Sequence, residues 1–149
     1  MVEISSVQDF VDLLAEAGDR LVVVEFFATW CAACKAMYPR VIELCKENPE
    51  IVFAKVKFED NKVICKAMGV KALPFFQFYR GADGRLASFS ASLKKFPLVE
   101  EALEAGLAPR CQLGDPKGAD EFGRFRPRPL EMRPWRNELE SKAETAPVE

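Results

Sequence analysis

The stretch VVVEFFATWCAACKAMYP, Val22 to Pro39, runs from unbroken apolar residues through two cysteines into a helical pattern. Leu21 to Ala28 reads as a buried strand, short, β-branched and apolar on both faces, interrupted only by Glu25. From about Cys34 to Asn48 the pattern predicts a helix, closed by Pro49. Cys31 and Cys34 therefore sit at the seam between strand and helix. Two intervening residues bring the second sulfur one helical turn from the first, within disulfide reach. Unpaired N–H groups and the positive end of the helix dipole favour a thiolate on Cys31, while Cys34, one turn inside, is expected to be less exposed and to hold its proton more tightly. That asymmetry assigns Cys31 to attack on a substrate disulfide and Cys34 to resolution of the mixed disulfide.

Working outward, Ser5 or Ser6 caps a helix with apolar positions Val7, Phe10, Val11, Leu14 and Ala17, and Gly18 stops it. Ile51 to Phe58 predicts a second strand parallel to the first, since the helix between them makes a crossover. A short helix follows over Asp60 to Ala67, ending at Gly69. After Pro74, FFQFYR alternates as a strand, GADG at Gly81 to Gly84 supplies a hairpin turn, and RLASFS returns antiparallel. Lys95 to Gly106 forms a last amphipathic helix, and Val2 to Ile4 adds a short strand at the start. The order implies an α/β domain over residues 1–106, a mixed central sheet with helices on both faces. From 107 to 149 the composition changes: six of the ten prolines lie there and no apolar periodicity survives. This segment reads as an extended, flexible tail, with Arg124, Arg126, Arg128, Arg133 and Arg136 clustered around Pro127, Pro129 and Pro134.

At 149 residues, 49% hydrophobic and 30% charged, the chain can bury the core of one ordinary soluble domain. A formal charge of −2 gives no global field that would draw nucleic acid or a membrane surface. No apolar run is long enough for membrane insertion, and MVEISSVQDF has neither the basic region nor the apolar stretch of a secretory signal. Histidine is absent, which excludes Cys/His zinc fingers and Ser-His-Asp or Cys-His hydrolases. Five cysteines, an odd number in a chain this size, favour a reducing compartment.

The chemistry is left to thiols, carboxylates and lysines. Glu25, in the middle of an apolar strand, is expected to have a raised pKa and a mobile proton, so that it can act through water as general base for Cys34. Lys55, on the next strand, is its candidate partner. Pro74 must lack a ladder partner or adopt a cis bond, which would present the Leu73 backbone to an extended peptide. Trp30 lies past the end of the core strand and is expected as an exposed lid beside Cys31. Cys45 falls on the apolar side of its helix and reads as an inert core thiol. Cys65 and Cys111 are candidate regulatory thiols, open to glutathionylation or bridging.

Taken together, Trp30, the Cys31 to Cys34 pair, Lys35, Pro39, the acid six positions before Cys31 and the Leu-Pro before the third main strand resemble thioredoxin over about Val2 to Gly106. LPFFQFYRGADGRLASFS, Cys65 and RCQLGDPKG are similar, more closely, to the plastid atypical Cys His-rich thioredoxins. The resemblance implies a thioredoxin fold and protein disulfide exchange by Cys31 as nucleophile and Cys34 as resolving thiol. It makes Glu25 the buried acid in place of the usual Asp, Lys55 its partner and Pro74 the cis-proline, with Trp30 and Leu73 lining the substrate groove. It also implies the chloroplast stroma, with a cytoplasmic location as alternative, and traffic with 2-Cys peroxiredoxin and redox-regulated plastid enzymes. No cofactor or metal is implied beyond the redox-active pair. Lys71 stands where that subfamily tends to have histidine, and the Cys-Ala-Ala-Cys centre lacks the usual Gly-Pro. Losing that proline predicts a midpoint some tens of millivolts less negative than the roughly −270 mV of thioredoxin.

Two readings from other classes remain open. Cys31 and Cys34 could be ligands of a metal or iron-sulfur centre, although no second Cys-x-x-Cys exists and neither Cys45 nor Cys65 has ligand spacing. Alternatively the domain is a non-catalytic platform whose arginine-rich tail docks an acidic partner.

Overall fold

The computed structural model describes residues 1–108 together with Arg128, Pro129, Met132, Pro134 and Trp135. Five strands form one sheet: β1 (Val2–Ile4), β2 (Leu21–Phe27), β3 (Val52–Lys57), β4 (Phe75–Arg80) and β5 (Arg85–Ser90). Their order across the sheet is β1-β3-β2-β4-β5, with β1, β3 and β2 parallel and β4 and β5 antiparallel to their neighbours. The helices are α1 (Val7–Ala17), α2 (Ala32–Glu47), α3 (Lys62–Ala67) and α4 (Phe96–Leu107). Among the described residues no helix is long and apolar enough to cross a membrane.

The period of two along β2 divides the core. Val22, Val24 and Phe26 face α1 and α3, packing with Phe10, Leu13, Ile64 and Cys65. Leu21 and Val23 face α2 and α4, packing with Met37, Val41, Phe96 and Val99. Each of these large apolar side chains is essentially removed from water, worth roughly 1.5–3 kcal/mol apiece.

Several boundaries differ from the sequence reading. α2 begins at Ala32, because Cys31 itself serves as N-cap, its Sγ accepting the Cys34 N–H at 3.2 Å. Pro39 lies inside that helix, where it can give no N–H to the turn before it. The expected short helix from Asp60 splits into a 3-10 turn, Phe58–Asp60, and α3, with Asn61 between them donating to the Lys57 carbonyl. On α1 the buried positions are Asp9, Phe10, Asp12, Leu13 and Ala17, whereas Val7, Val11 and Leu14 are only partly covered. Val7 and Leu14 still pack against the core from its margin, while two aspartates occupy buried positions.

All of Phe75 to Tyr79 in β4 is buried, because both faces of the strand are covered: Phe75 and Tyr79 pack on the side of α1 and α3, Phe76 and Phe78 on the side of α2 and α4. The Gly81–Asp83 turn returns it to β5, and Gly81 has to be glycine there: its φ is +46° and a Cβ would lie 2.7 Å from Asp19 Oδ1.

Burying Gln77 at the centre of β4 requires partners for its whole amide. Nε2 donates to the Met68 carbonyl at 2.8 Å and to Ser88 Oγ at 3.2 Å, and Oε1 accepts the Tyr79 hydroxyl at 2.7 Å. Gln77→Leu removes the donor to Met68 and this acceptor of Tyr79 while keeping the volume. It should therefore destabilise the fold by about 1–3 kcal/mol in urea unfolding, with m unchanged. An unaltered midpoint would show that the network contributes nothing.

Candidate active site

The C-terminal end of β2 delivers the chain into the loop 28–31 and α2. Cys31 and Cys34 face each other across one helical turn, paired as a disulfide with Cα atoms 5.3 Å apart. Neither is open to bulk water: Cys31 is 8% and Cys34 4% exposed. The loop is held from outside by Glu59, whose Oε1 accepts the Thr29 N–H at 2.9 Å and whose Oε2 accepts the Thr29 hydroxyl at 2.7 Å. These bonds to the charged form keep the Glu59 carboxyl below its ordinary pKa. Nothing in the sequence marks Glu59, one of two adjacent acids thirty residues from its partner.

On one side of the disulfide lies a shallow groove of about 240 Å³, lined by Trp30, Cys31, Phe58, Val70, Lys71, Ala72 and Leu73. Trp30 is 67% exposed, its ring edge-on to Phe58 at 6.3 Å. The Leu73–Pro74 bond is cis, and the Pro74 carbonyl is fixed by the Ala91 N–H at 3.2 Å and the Ser90 hydroxyl at 3.0 Å. Leu73 packs against the apolar cluster of Ala28, Cys31 and Cys34. The groove thus has an aromatic wall, an aliphatic wall and a sulfur at its floor.

Behind the disulfide, a cavity of about 440 Å³ brings together Glu25, Lys55, Cys34, Lys35, Phe27 and Tyr38. Parallel register puts Glu25 directly opposite Lys55. Glu25 is 2% exposed, and burial raises its pKa to about 7 even though the positive charge of Lys55 pulls the other way. The Lys55 ammonium stands over the Phe27 and Tyr38 rings, 6.0 Å and 5.9 Å from their centroids. The pairing anticipated from sequence is thus an interaction through space across the cavity, which also reaches Cys34.

The other thiols divide differently from the sequence reading. Cys45 is buried with Met37, Val41 and Leu44. Cys65 is fully buried, and burial pushes its thiol up to about 11. α3 turns it inward against Phe10 and Val56, so it is a core thiol and not the accessible regulatory one expected. Cys111 lies outside the described residues, as do Arg124, Arg126, Arg133 and Arg136. Arg128 is described and pairs within the chain, with Asp9 and Asp12. Among the described residues no three His, Cys, Asp or Glu side chains converge as a metal site.

A dithiol at a helix N-terminus, a buried acid behind it and a cis-proline beside it occur here on one five-stranded mixed sheet. The thioredoxin family model matches residues 1–103. The chain belongs to the thioredoxin family. Its fold and its Cys-Ala-Ala-Cys pair are those of a thioredoxin-like oxidoreductase. It is 50% identical over 121 residues to thioredoxin-like 2, chloroplastic, of Oryza sativa subsp. japonica, a match covering 81% of this chain and 56% of that protein. Thioredoxin-like 2-2, chloroplastic, of Arabidopsis thaliana is 50% identical over 114 residues, covering 76% of this chain and 47% of the relative. The chain therefore spans about half the length of these curated relatives. Among solved structures, Fasciola hepatica thioredoxin superimposes with a TM-score of 0.64 at 34% identity, covering 70% of this chain and 98% of that one.

The buried acid makes stability depend on pH in a direction opposite to that of an ordinary carboxylate. Unfolded, Glu25 loses its proton near 4.5; folded, only near 7. Between those values the folded state holds more protons, so stability falls as pH rises through that window and levels off above it. The loss is on the order of 3 kcal/mol. Urea unfolding of the oxidised protein should show wild type losing stability relative to Glu25→Gln between pH 4.5 and pH 8. Parallel curves for the two proteins would mean that Glu25 titrates normally.

Proposed function

We propose that the protein is a thiol-disulfide oxidoreductase acting on protein disulfides, and that it carries two electrons on Cys31 and Cys34 with no further cofactor. The observation that supports this best is the convergence of groove, disulfide and acid: a substrate reaches Cys31 from one side while Glu25 reaches Cys34 from the other. The reduced Cys31 thiolate is favoured by the Cys34 N–H aimed at its sulfur and by the start of α2. It attacks one substrate sulfur, forming a mixed disulfide and releasing the other substrate sulfur as a thiolate. Cys34 gives up its proton through water toward the Glu25 carboxylate, with Lys55 stabilising that carboxylate across the cavity. The Cys34 thiolate then attacks Cys31, which reforms the disulfide and frees the substrate as a dithiol. Trp30, Leu73 and Pro74 hold the substrate backbone in the groove during both steps.

The relatives named chloroplastic support a plastid setting, and within it we read the substrates as 2-Cys peroxiredoxin and redox-regulated enzymes of the stroma. The absence of proline between the two cysteines supports a midpoint some tens of millivolts above the roughly −270 mV of thioredoxin. Such a centre gives up electrons less readily and takes them more readily.

A redox titration in glutathione or dithiothreitol buffers, with alkylation and peptide mapping at each poise, tests the reading. One two-electron transition confined to Cys31 and Cys34 is expected, above the thioredoxin midpoint. Cys34→Ser should accumulate a mixed disulfide with substrate, and Cys31→Ser should abolish exchange. If the pair forms no disulfide at any poise, the oxidoreductase reading fails and metal analysis takes its place.

A further inference from the structure

α1 is capped by Ser6, whose Oγ accepts the Asp9 N–H at 3.0 Å, while Asp9 Oδ2 accepts the Ser5 N–H at 3.0 Å. The cap fixes the register in which Asp9, Asp12 and Glu16 fall at i, i+3 and i+7, along one side of the helix. Asp12 is fully buried and Asp9 is 7% exposed, which for two carboxylates on one helix demands a counter-charge. Arg128 supplies it: Nη2 bonds Asp9 Oδ1, while Nε and the backbone N–H bond the two oxygens of Asp12. Seven residues on, Trp135 is 3% exposed, joins the apolar cluster of Phe10, Leu13 and Ala17, and donates its indole N–H to Glu16 Oε2 at 2.9 Å.

We propose that this acidic side of α1 is a docking site built for the chain's own C-terminal segment, with Arg128 and Trp135 as the two jaws of a clasp closed in cis. The charge pattern and the spacing agree: a guanidinium meets the two aspartates, and an indole follows one helical turn further along α1. The tether is long enough. α4 ends where Arg80 Nη1 donates to the carbonyls of Gly106 and Ala108, and the nineteen residues 109–127 can span up to about 60 Å. Tethering of that kind raises the local concentration of the segment to about the millimolar range, which favours the chain's own segment over a second copy's. α1 lies on the face of the sheet opposite α2, so the clasp closes away from the Glu25 cavity. Opened, it would uncover an apolar strip edged by three carboxylates, a surface that fits a partner carrying an arginine followed by an aromatic residue.

The chain has two tryptophans, so Trp30→Phe leaves Trp135 as sole reporter in the full-length protein. Its emission should be blue-shifted and poorly quenched by acrylamide. Arg128→Ala, a change outside the domain core, should red-shift it and raise the quenching constant severalfold, with far-UV circular dichroism unchanged; Asp9→Asn with Asp12→Asn should do the same. Full quenching of Trp135 in the Trp30→Phe protein itself overturns the proposal, as does an Arg128→Ala protein that keeps the buried spectrum. Sedimentation on the same samples decides the occupant. A monomer with buried Trp135 at low micromolar concentration supports closure in cis, and a buried signal that is lost on dilution together with a dimer overturns it.

Discussion

Strand β2 is hydrogen-bonded along both edges and covered by helices on both faces, so its register is fixed from four sides. A slip of one residue would exchange Val22, Val24 and Phe26 with Leu21, Val23 and Glu25, moving the carboxyl from the α2 face to the α1 face. It would also shift the point at which the chain leaves the sheet, and with it Cys31. The dithiol therefore depends on a strand that contributes no atom to the exchange itself. Apolar burial along β2 sets the position of the sulfurs, and the N-cap of α2 sets their orientation.

Around that strand the structure treats each polar intrusion separately. Gln77 is buried and satisfied by the Met68 carbonyl, the Ser88 hydroxyl of the neighbouring β5 and the Tyr79 phenol of its own strand. Thr29 is satisfied from the surface by Glu59, which pins the loop before Cys31 without entering the apolar cluster below it. The Pro74 carbonyl, next to the cis bond, is held by the strand that begins its exit from β5. Loop, disulfide and proline are thereby fixed on three different elements, and the groove between them has walls that do not share a hinge.

What the sequence made legible was whatever acts locally or breaks a pattern. Two cysteines one turn apart, a lone acid in an apolar strand and a proline at a strand's start all stand out against their neighbours. Their roles follow from that contrast. Glu59 does not stand out, because a surface acid among acids becomes significant only through a partner thirty residues away. Cys65 was misjudged for a related reason: α3 is six residues long, too short for a periodicity that would say which side faces in. On α1 the amphipathic pattern selected Val7, Phe10, Val11, Leu14 and Ala17, and Phe10 and Ala17 are buried; it could not show that Asp9 and Asp12 are buried as well, since their partner Arg128 lies 116 residues beyond Asp12 in the chain. Long-range charge pairing leaves no local trace.

Asp12 and Glu25 show how the same side-chain chemistry is turned to opposite ends. Burial raises the pKa of Asp12, but the backbone and guanidinium of Arg128 bond it directly, and the net result lies below the ordinary value. That carboxylate stays charged and cannot exchange protons at neutral pH; it can only hold. Glu25 has a cation too, but the ammonium of Lys55 is stationed over two aromatic rings across a cavity, and burial prevails. The Lys55 charge opposes the effect of burial, so removing it would raise the Glu25 pKa further. The separation between the two charges keeps the acid close to the pH at which a proton can be both taken and returned, which a cycle that alternates thiol and disulfide requires.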